Sequence, residues 1–585
     1  MDKRVHKLFD LKYRGVVYTV LAYISIYMLY YPQPLISVFC IMVLYYINKR
    51  GIFTETTERE IKFSIVMGII ISISIVWGKN LVEYESTLFL AVRTILLIMA
   101  LCPFFINVMK IFFTANFTWF EQKNLKVDML KNFLICWCVI FIAYIPVLLA
   151  FYPGIVTYDI YDQFSQVLSG EYNLKHPIAH TMFMGIIFKL VYRLTGDWNK
   201  GALVHSIIQM LIMTGVFSYI SVWIYKFSKS KRLFLVIIAF WVVLPIHPIF
   251  TIVTTKDILF SAIVAILVLK LMESGICEQT QKSLIKIIAY FCVLFFLLFI
   301  FRNNALYAVL LFLPALFFLG AVGRKIILSA VLAVIMLFLY NYVLHNYIHA
   351  LDGPKVEMFS VPVQQIARVY NLCNDNLLDN EKEDIERLFG DEGKETLLKY
   401  ESRKADVVKE RFDQNYAWEN NELKYINLWI KWGIKHPGVY LDAWMNLING
   451  YFCFDDEIPD KQTYRTYIEI RCNAYNEMGL HFSTKNKKLF DLYDSLFRKG
   501  KCQEIPFLSI VCQLAFYDWA LILVFAYVWQ KKRYRLLPPI ILLLAILFTN
   551  LLGPVALLRY IYPFIVCFPT LIFALTRCSR GIKDL

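Results

Sequence analysis

Little of this chain is charged. Asp, Glu, Lys and Arg make up 18% of its 585 residues, whereas soluble domains carry about 25%. That shortfall argues against a water-soluble fold. The short motifs of nucleotide chemistry are also missing: neither a GxxxxGK[ST] phosphate loop nor a GxGxxG fingerprint occurs, which argues against a nucleotide-driven reaction. The 13 cysteines include no CxxC. Most, such as Cys136, Cys138 and Cys292, sit in apolar runs as small hydrophobes. Cys373, Cys453, Cys472 and Cys502 lie in a polar stretch, where an oxidising compartment would let them pair. No internal repeat and no low-complexity tract is visible.

In place of these features, 59% of the residues are hydrophobic, arranged in recurring runs of the roughly 20 apolar residues that a bilayer crossing needs. The expected fold class is an all-α polytopic membrane protein with about 14 spans (range 12–14), the first at 16–31 and 33–48, others including 233–250 and 506–529, and the last at 557–576. With the N-terminus inside, the loops holding Lys49–Arg50, Lys229–Arg232, Arg324–Lys325 and Lys531–Arg535 all fall on the cytoplasmic side, as does the C-terminus. That alternation follows the positive-inside rule and predicts a multi-pass cell-membrane protein with both termini cytoplasmic. The net charge of +15 comes from these short clusters between spans, so nucleic acid is not expected as a partner.

Three regions follow: an N-terminal membrane domain over 1–345 with an outer loop at 152–200, an extracytoplasmic and mainly helical insert over 346–505, and C-terminal spans over 506–585. Within the outer loop, HTMFMGIIFKLVYRLTG reads as a helix lying in the membrane surface. The insert carries more acids than bases. Its Trp429, Trp432, Trp444 and Tyr451 form an aromatic side that serves either as a core stripe or as a surface for the membrane or a glycan.

Ionisable groups at the membrane plane cost several kcal/mol unless paired or wet, which marks them as functional candidates. Eight fall at the expected outer boundary: Asp159, Asp162, His176, His180, Lys256, Asp257, Arg302 and Arg559. Asp159 and Asp162, at i and i+3, share a helical face. One carboxylate at a cavity mouth can act as general base while the other raises its pKa or helps hold a cation; helix capping is the simpler role. Lys256, Arg302 and Arg559 suit phosphate contacts, or a snorkelling or anchoring role. His176 and His180 have metal-ligand spacing, but no Glu follows the first and Pro177 interrupts the helix. Hydrogen bonding to a substrate suits them better.

These motifs, YPGIVTYDIYDQ (152–163), KHPIAHT (175–181), TKDILFS (255–261), MFSVPVQQIARVY (358–370) and LLRYIYPF (557–564), together with a large outer loop after a span, resemble the C-type (GT-C) membrane glycosyltransferases. That superfamily includes the protein O-mannosyltransferases, the aminoarabinose transferases and the oligosaccharyltransferases; an uncharacterised bacterial branch is most similar. The resemblance implies a GT-C-like fold and inverting transfer of a sugar from a polyprenyl-phosphate donor to an extracytoplasmic acceptor, such as a cell-wall or surface glycan. It places Asp159 as the base, with Asp162 a second catalytic acid. Lys256, Asp257, Arg302, Arg559, His176 and His180 then surround the donor phosphate and sugar. The mannosyltransferases carry adjacent acids here, whereas Ile160 and Tyr161 separate Asp159 from Asp162. Which of the two is the base therefore stays open, as does a divalent cation (Mg or Mn) on them. A lipid-linked glycan flippase or transporter, or a surface-polysaccharide ligase or polymerase, is the alternative.

Overall fold

A computed structural model describes residues 2–30, 33–80, 88–117, 127–157, 159–277, 284–374, 377–413, 417, 422–454, 478–498 and 501–578. Cys472 lies outside these residues. Helix dominates, and the sheet consists of two residues in each of two strands. Among the described residues, nine helices are long and apolar enough to cross a membrane, and four shorter apolar helices accompany them. The chain is an α-helical protein embedded in a membrane.

Three stretches differ from the sequence expectation. Ile178–Thr195, expected to lie on the membrane surface, is long and apolar enough to cross. The expected span 233–250 is broken into Lys231–Val243 and Ile246–Thr251, because Pro245 has no N–H to donate and forces the preceding residue out of helical geometry. The expected span 506–529 is likewise two helices, Pro506–Val511 and Leu514–Gln530.

The break at Pro245 builds the site. Leaving the Ile246–Thr251 helix, Val253–Thr254 pairs in parallel with Ile155–Val156, in the register Ile155 to Val253 and Val156 to Thr254. Both strands come from an Ile-Val-Thr tripeptide, at 155–157 and 252–254, whose β-branched side chains suit an extended backbone. Gln209 holds the second strand by donating from Nε2 to the carbonyls of Thr251 (3.0 Å) and Val253 (2.8 Å). Gly154 lets the first strand approach: its φ is +131°, and a Cβ there would stand 2.0 Å from Ser206 Oγ. Each strand then feeds a helix within a few residues, Asp159–Ser169 on one side and Lys256–Ile276 on the other. The strand pair thus sets two helix N-termini side by side.

The insert has its own core, in which Trp432 is fully buried among Val363, Ile366, Tyr370, Ile385 and Leu397; burying a side chain of that size contributes about 3 kcal/mol. The expected aromatic side is this core together with a seam to the membrane bundle. Trp429 donates to Gln365 Oε1, and Trp444 donates to the carbonyl of Leu551. Tyr451 is buried in the main bundle core. The Pro437–Phe452 helix seats against the spans through Asn449 Nδ2, which donates to Gly78 O at 3.2 Å, and through Trp519 Nε1, which donates to Phe452 O at 2.9 Å. MFSVPVQQIARVY is mostly scaffold here: in the Ser360–Leu372 helix, Gln364, Gln365 and Arg368 tie the insert together through Glu401, Tyr440 and Asp442.

Candidate functional site

Seven of the eight predicted residues form one continuous string, in which three acids are bridged by Lys256, Arg302, Arg559 and the His176 imidazole. Asp159 opens its helix but does not cap it; its carboxylate turns to the bundle, where Oδ2 accepts from Arg559 Nη1 at 3.0 Å and lies 3.6 Å from Lys256 Nζ. Arg559 is the second residue of the Leu558–Cys578 helix, and its Nε lies 3.8 Å from Asp257 Oδ2. Asp257 is fully buried, and its Oδ1 accepts from Arg302 Nη1 at 2.5 Å. The Arg302 fork is filled by Asn304 Oδ1 (2.9 Å) and Asn550 Oδ1 (3.2 Å), and its plane lies over the rings of Phe260 and Tyr560. Buried charges tolerate this environment only because each has an opposite neighbour; removing one partner of such a pair costs about 3–5 kcal/mol.

On the other side, Lys256 Nζ donates to His176 Nδ1 at 2.9 Å. An ammonium only donates, so Nδ1 accepts and the ring proton sits on Nε2, 3.6 Å from Asp162 Oδ2. Lys175 completes the row, donating to the same oxygen at 2.7 Å.

Electrostatics follow from these contacts. Burial by itself would raise the pKa of Asp159, but Arg559, Lys256 and His176 outweigh it and hold the carboxyl well below its ordinary range. The nearby His176 imidazole, with help from Lys175, lowers Asp162 to about 2 against the effect of burial. Burial and then the Lys256 charge lower His176, so the neutral ring is favoured. Both acids are ionised at neutral pH.

Beside the string lies a cavity of about 460 Å³, bordered by Lys175, Lys256, Asp257, Arg302, Tyr307 and Tyr560. Asp159 stands one layer behind it, reached through Lys256. The C-termini of the 284–301 and 537–550 helices and the N-terminus of the Lys256–Ile276 helix all end here, so the cavity sits at one end of the bundle. The helix N-terminus adds the positive end of a dipole.

His180 does not border the cavity. It is fully buried, with Nδ1 3.2 Å from Gln163 Oε1 and its ring edge-on to His205, one layer behind His176. The two histidines share no ligand position. Among the described residues no group of three or more His, Cys, Asp and Glu side chains is arranged to hold a metal. Asp159 and Asp162 each face cations already, a donor set that does not fit a divalent ion, so no step is derived through one.

Residues absent from the sequence reading are Asn304 and Asn550, which hold Arg302, and Tyr560 and Tyr307 on the cavity wall. Asn304 and Tyr560 lie beside predicted residues in FRNNALY and LLRYIYPF; Asn550 follows Thr549 at the end of an apolar run.

Residues 169–584 match the model of a family of unknown function, DUF6020, and the chain belongs to that family. The match takes in His176, Lys256, Asp257, Arg302 and Arg559 and begins after Asp159 and Asp162. No curated protein and no solved structure matches the chain.

Proposed function

We propose that this DUF6020 protein is a GT-C-like membrane glycosyltransferase that moves a sugar from a polyprenyl-phosphate donor to an extracytoplasmic glycan acceptor with inversion. The observation that carries the reading is the string Asp159–Arg559–Asp257–Arg302 with Lys256, set against a 460 Å³ cavity at one end of the helix bundle. A lipid-borne anion enters such a site from the bilayer. It finds two cations on the cavity wall, the buried Arg302 and the half-buried Lys256, with Lys175 at the edge.

In the reaction the acceptor hydroxyl oxygen attacks the anomeric carbon, and the bond from that carbon to the phosphate oxygen breaks. The polyprenyl phosphate leaves with the electron pair, so no acid is needed for departure, and the hydroxyl proton is relayed through one water to Asp159, one layer behind the cavity wall. Lys256 and Arg302, on the cavity wall, stabilise charge that grows on the phosphate as the bond breaks, with Arg559 adding its charge from one layer behind. The described contacts of Asp159 with Arg559 and Lys256 both fall on Oδ2, which leaves Oδ1 as the basic oxygen. A carboxylate held so far down in pKa is a weak base. Donor binding corrects this, because the phosphate competes for Lys256 on the cavity wall and adds a like charge nearby, both of which raise the pKa of Asp159.

The opposite end of the bundle fits a cytoplasmic face, as the positive-inside rule requires. There Lys531 meets Glu60 at 3.2 Å, and Arg59 donates to Trp529 O. The test is direct: purified protein given a polyprenyl-phosphate sugar and an acceptor glycan should release free polyprenyl phosphate as the sugar appears on the glycan. Absence of donor binding to wild-type protein would overturn the reading.

A further inference from the structure

We infer that His176 is a positioning residue whose Nδ1 holds the Lys256 ammonium over the cavity and off the Asp159 carboxylate. The inference deepens the proposed function and rests on it for the identity of the anion. Its basis is a geometry of unequal distances. Lys256 Nζ lies 2.9 Å from His176 Nδ1 but 3.6 Å from Asp159 Oδ2, so the charged group leans to the neutral partner.

Unaided, Coulomb attraction would draw the flexible four-carbon stem of a lysine onto the carboxylate. That would close the contact with Asp159 and turn the ammonium from the cavity that Lys256 borders. The imidazole is itself fixed from the far side. Asp162 Oδ2 lies 3.6 Å from its Nε2 and also accepts from Lys175 at 2.7 Å. The groups facing His176 are therefore Asp159 and Asp162 from the 159–169 helix, Lys256 from the 256–276 helix, and Lys175 and His180 beside it in the chain. Of these, only Lys256 donates to Nδ1. Asp162 thus acts two steps from the cavity, by holding the ring that holds the lysine.

The experiment compares three substitutions in the full-length protein in nanodiscs, with farnesyl methyl phosphate as probe. This diester keeps a single charge across the working pH range. His176→Asn places its amide oxygen close to where Nδ1 stood, His176→Gln places its amide near Nε2, and His176→Ala supplies no acceptor. Loss of one charge-assisted hydrogen bond should weaken probe binding by about tenfold or more in the Gln and Ala variants, while Asn stays within about threefold of wild type. In a Lys256→Met background the same three changes should cost nothing further. Equal affinity for all three variants, or full additivity with Lys256→Met, would overturn the inference.

If wild-type protein does not bind the probe at all, the reading of the cavity as a prenyl-phosphate site fails, and the lysine position decides the present point separately. Cryo-EM of His176→Ala should show Lys256 Nζ moved to about 3 Å from Asp159, an ion-pair hydrogen bond; an unmoved lysine would refute the positioning role.

Discussion

Arg559 donates from Nη1 to Asp159 Oδ2 over 3.0 Å, joining residues 400 positions apart in the chain. The pair links the Asp159–Ser169 helix to the Leu558–Cys578 helix, and it is nearly dry: Asp159 is 8% exposed and Arg559 4%. A contact of this kind serves fold and chemistry at once, so tests of it need readouts for both.

Asp159→Asn should abolish sugar transfer, with a loss of about 10²–10⁴-fold, the usual worth of a general base. Thermal unfolding in detergent provides the control, since Arg559 retains Asp257 and Tyr560 as partners. Wild-type turnover in this variant would remove Asp159 from the role of base.

Arg302→Lys should keep the charge yet weaken donor binding. A lysine cannot serve Asp257, Asn304 and Asn550 with one planar fork. The expected change is a rise of about tenfold in the KM for donor, together with about 1–3 kcal/mol lost in stability as buried acceptors go unpaired. An unchanged KM would move the phosphate away from Arg302.

Gly154→Ala should reduce stability by about 1–3 kcal/mol through strain at positive φ, because the new Cβ would meet Ser206 Oγ at 2.0 Å. Adding Ser206→Ala should restore part of the loss, because the nearest remaining contact is the Ser206 Cβ at 3.1 Å. No rescue in a melting experiment would mean that the positive φ at 154, rather than the serine oxygen, sets the limit.

The pairing of Asp162 predicts a pH dependence with a definite sign. Its pKa is depressed from 3.8 to about 2, so its stabilising effect is present above the unfolded value and is lost as the pH falls through the folded one. Asp162→Asn should therefore cost most near neutral pH, and its difference from wild type should shrink between about pH 4 and pH 2. Being more than a third exposed, the group contributes no more than about 1 kcal/mol. A constant difference across that range in detergent melts would contradict the assignment.

Orientation can be measured independently of activity. A reporter inserted at the exposed turn Gly390–Asp391 should report an extracytoplasmic position, and one beside Lys531–Lys532 a cytoplasmic one. The same side for both would place the cavity and the basic end on one face and sink the proposed topology. Residue 420, an equally natural insertion point, lies outside the described residues.

What the sequence by itself determined is the class of environment and the identity of the charged groups. Runs of about 20 apolar residues have one stable solution in water and lipid, a buried helix. Against that background an ionic side chain such as Arg559 is conspicuous, because its cost is high wherever it sits. Seven of the eight residues so marked do meet. Tertiary structure alone decided how they meet. The Pro245 break and the two-residue strand pairing are too short to carry a periodic signal, yet they bring Asp159 beside Lys256 and Asp257. Burial separated the two histidines that spacing had joined: Pro177 starts a new helix at Ile178, so His176 points to Lys256 while His180 turns inward to Gln163. Partner choice among Asp257, Arg302 and Arg559 was equally invisible, because a buried charge settles on whichever opposite charge packing brings within reach, and packing is a property of the whole bundle.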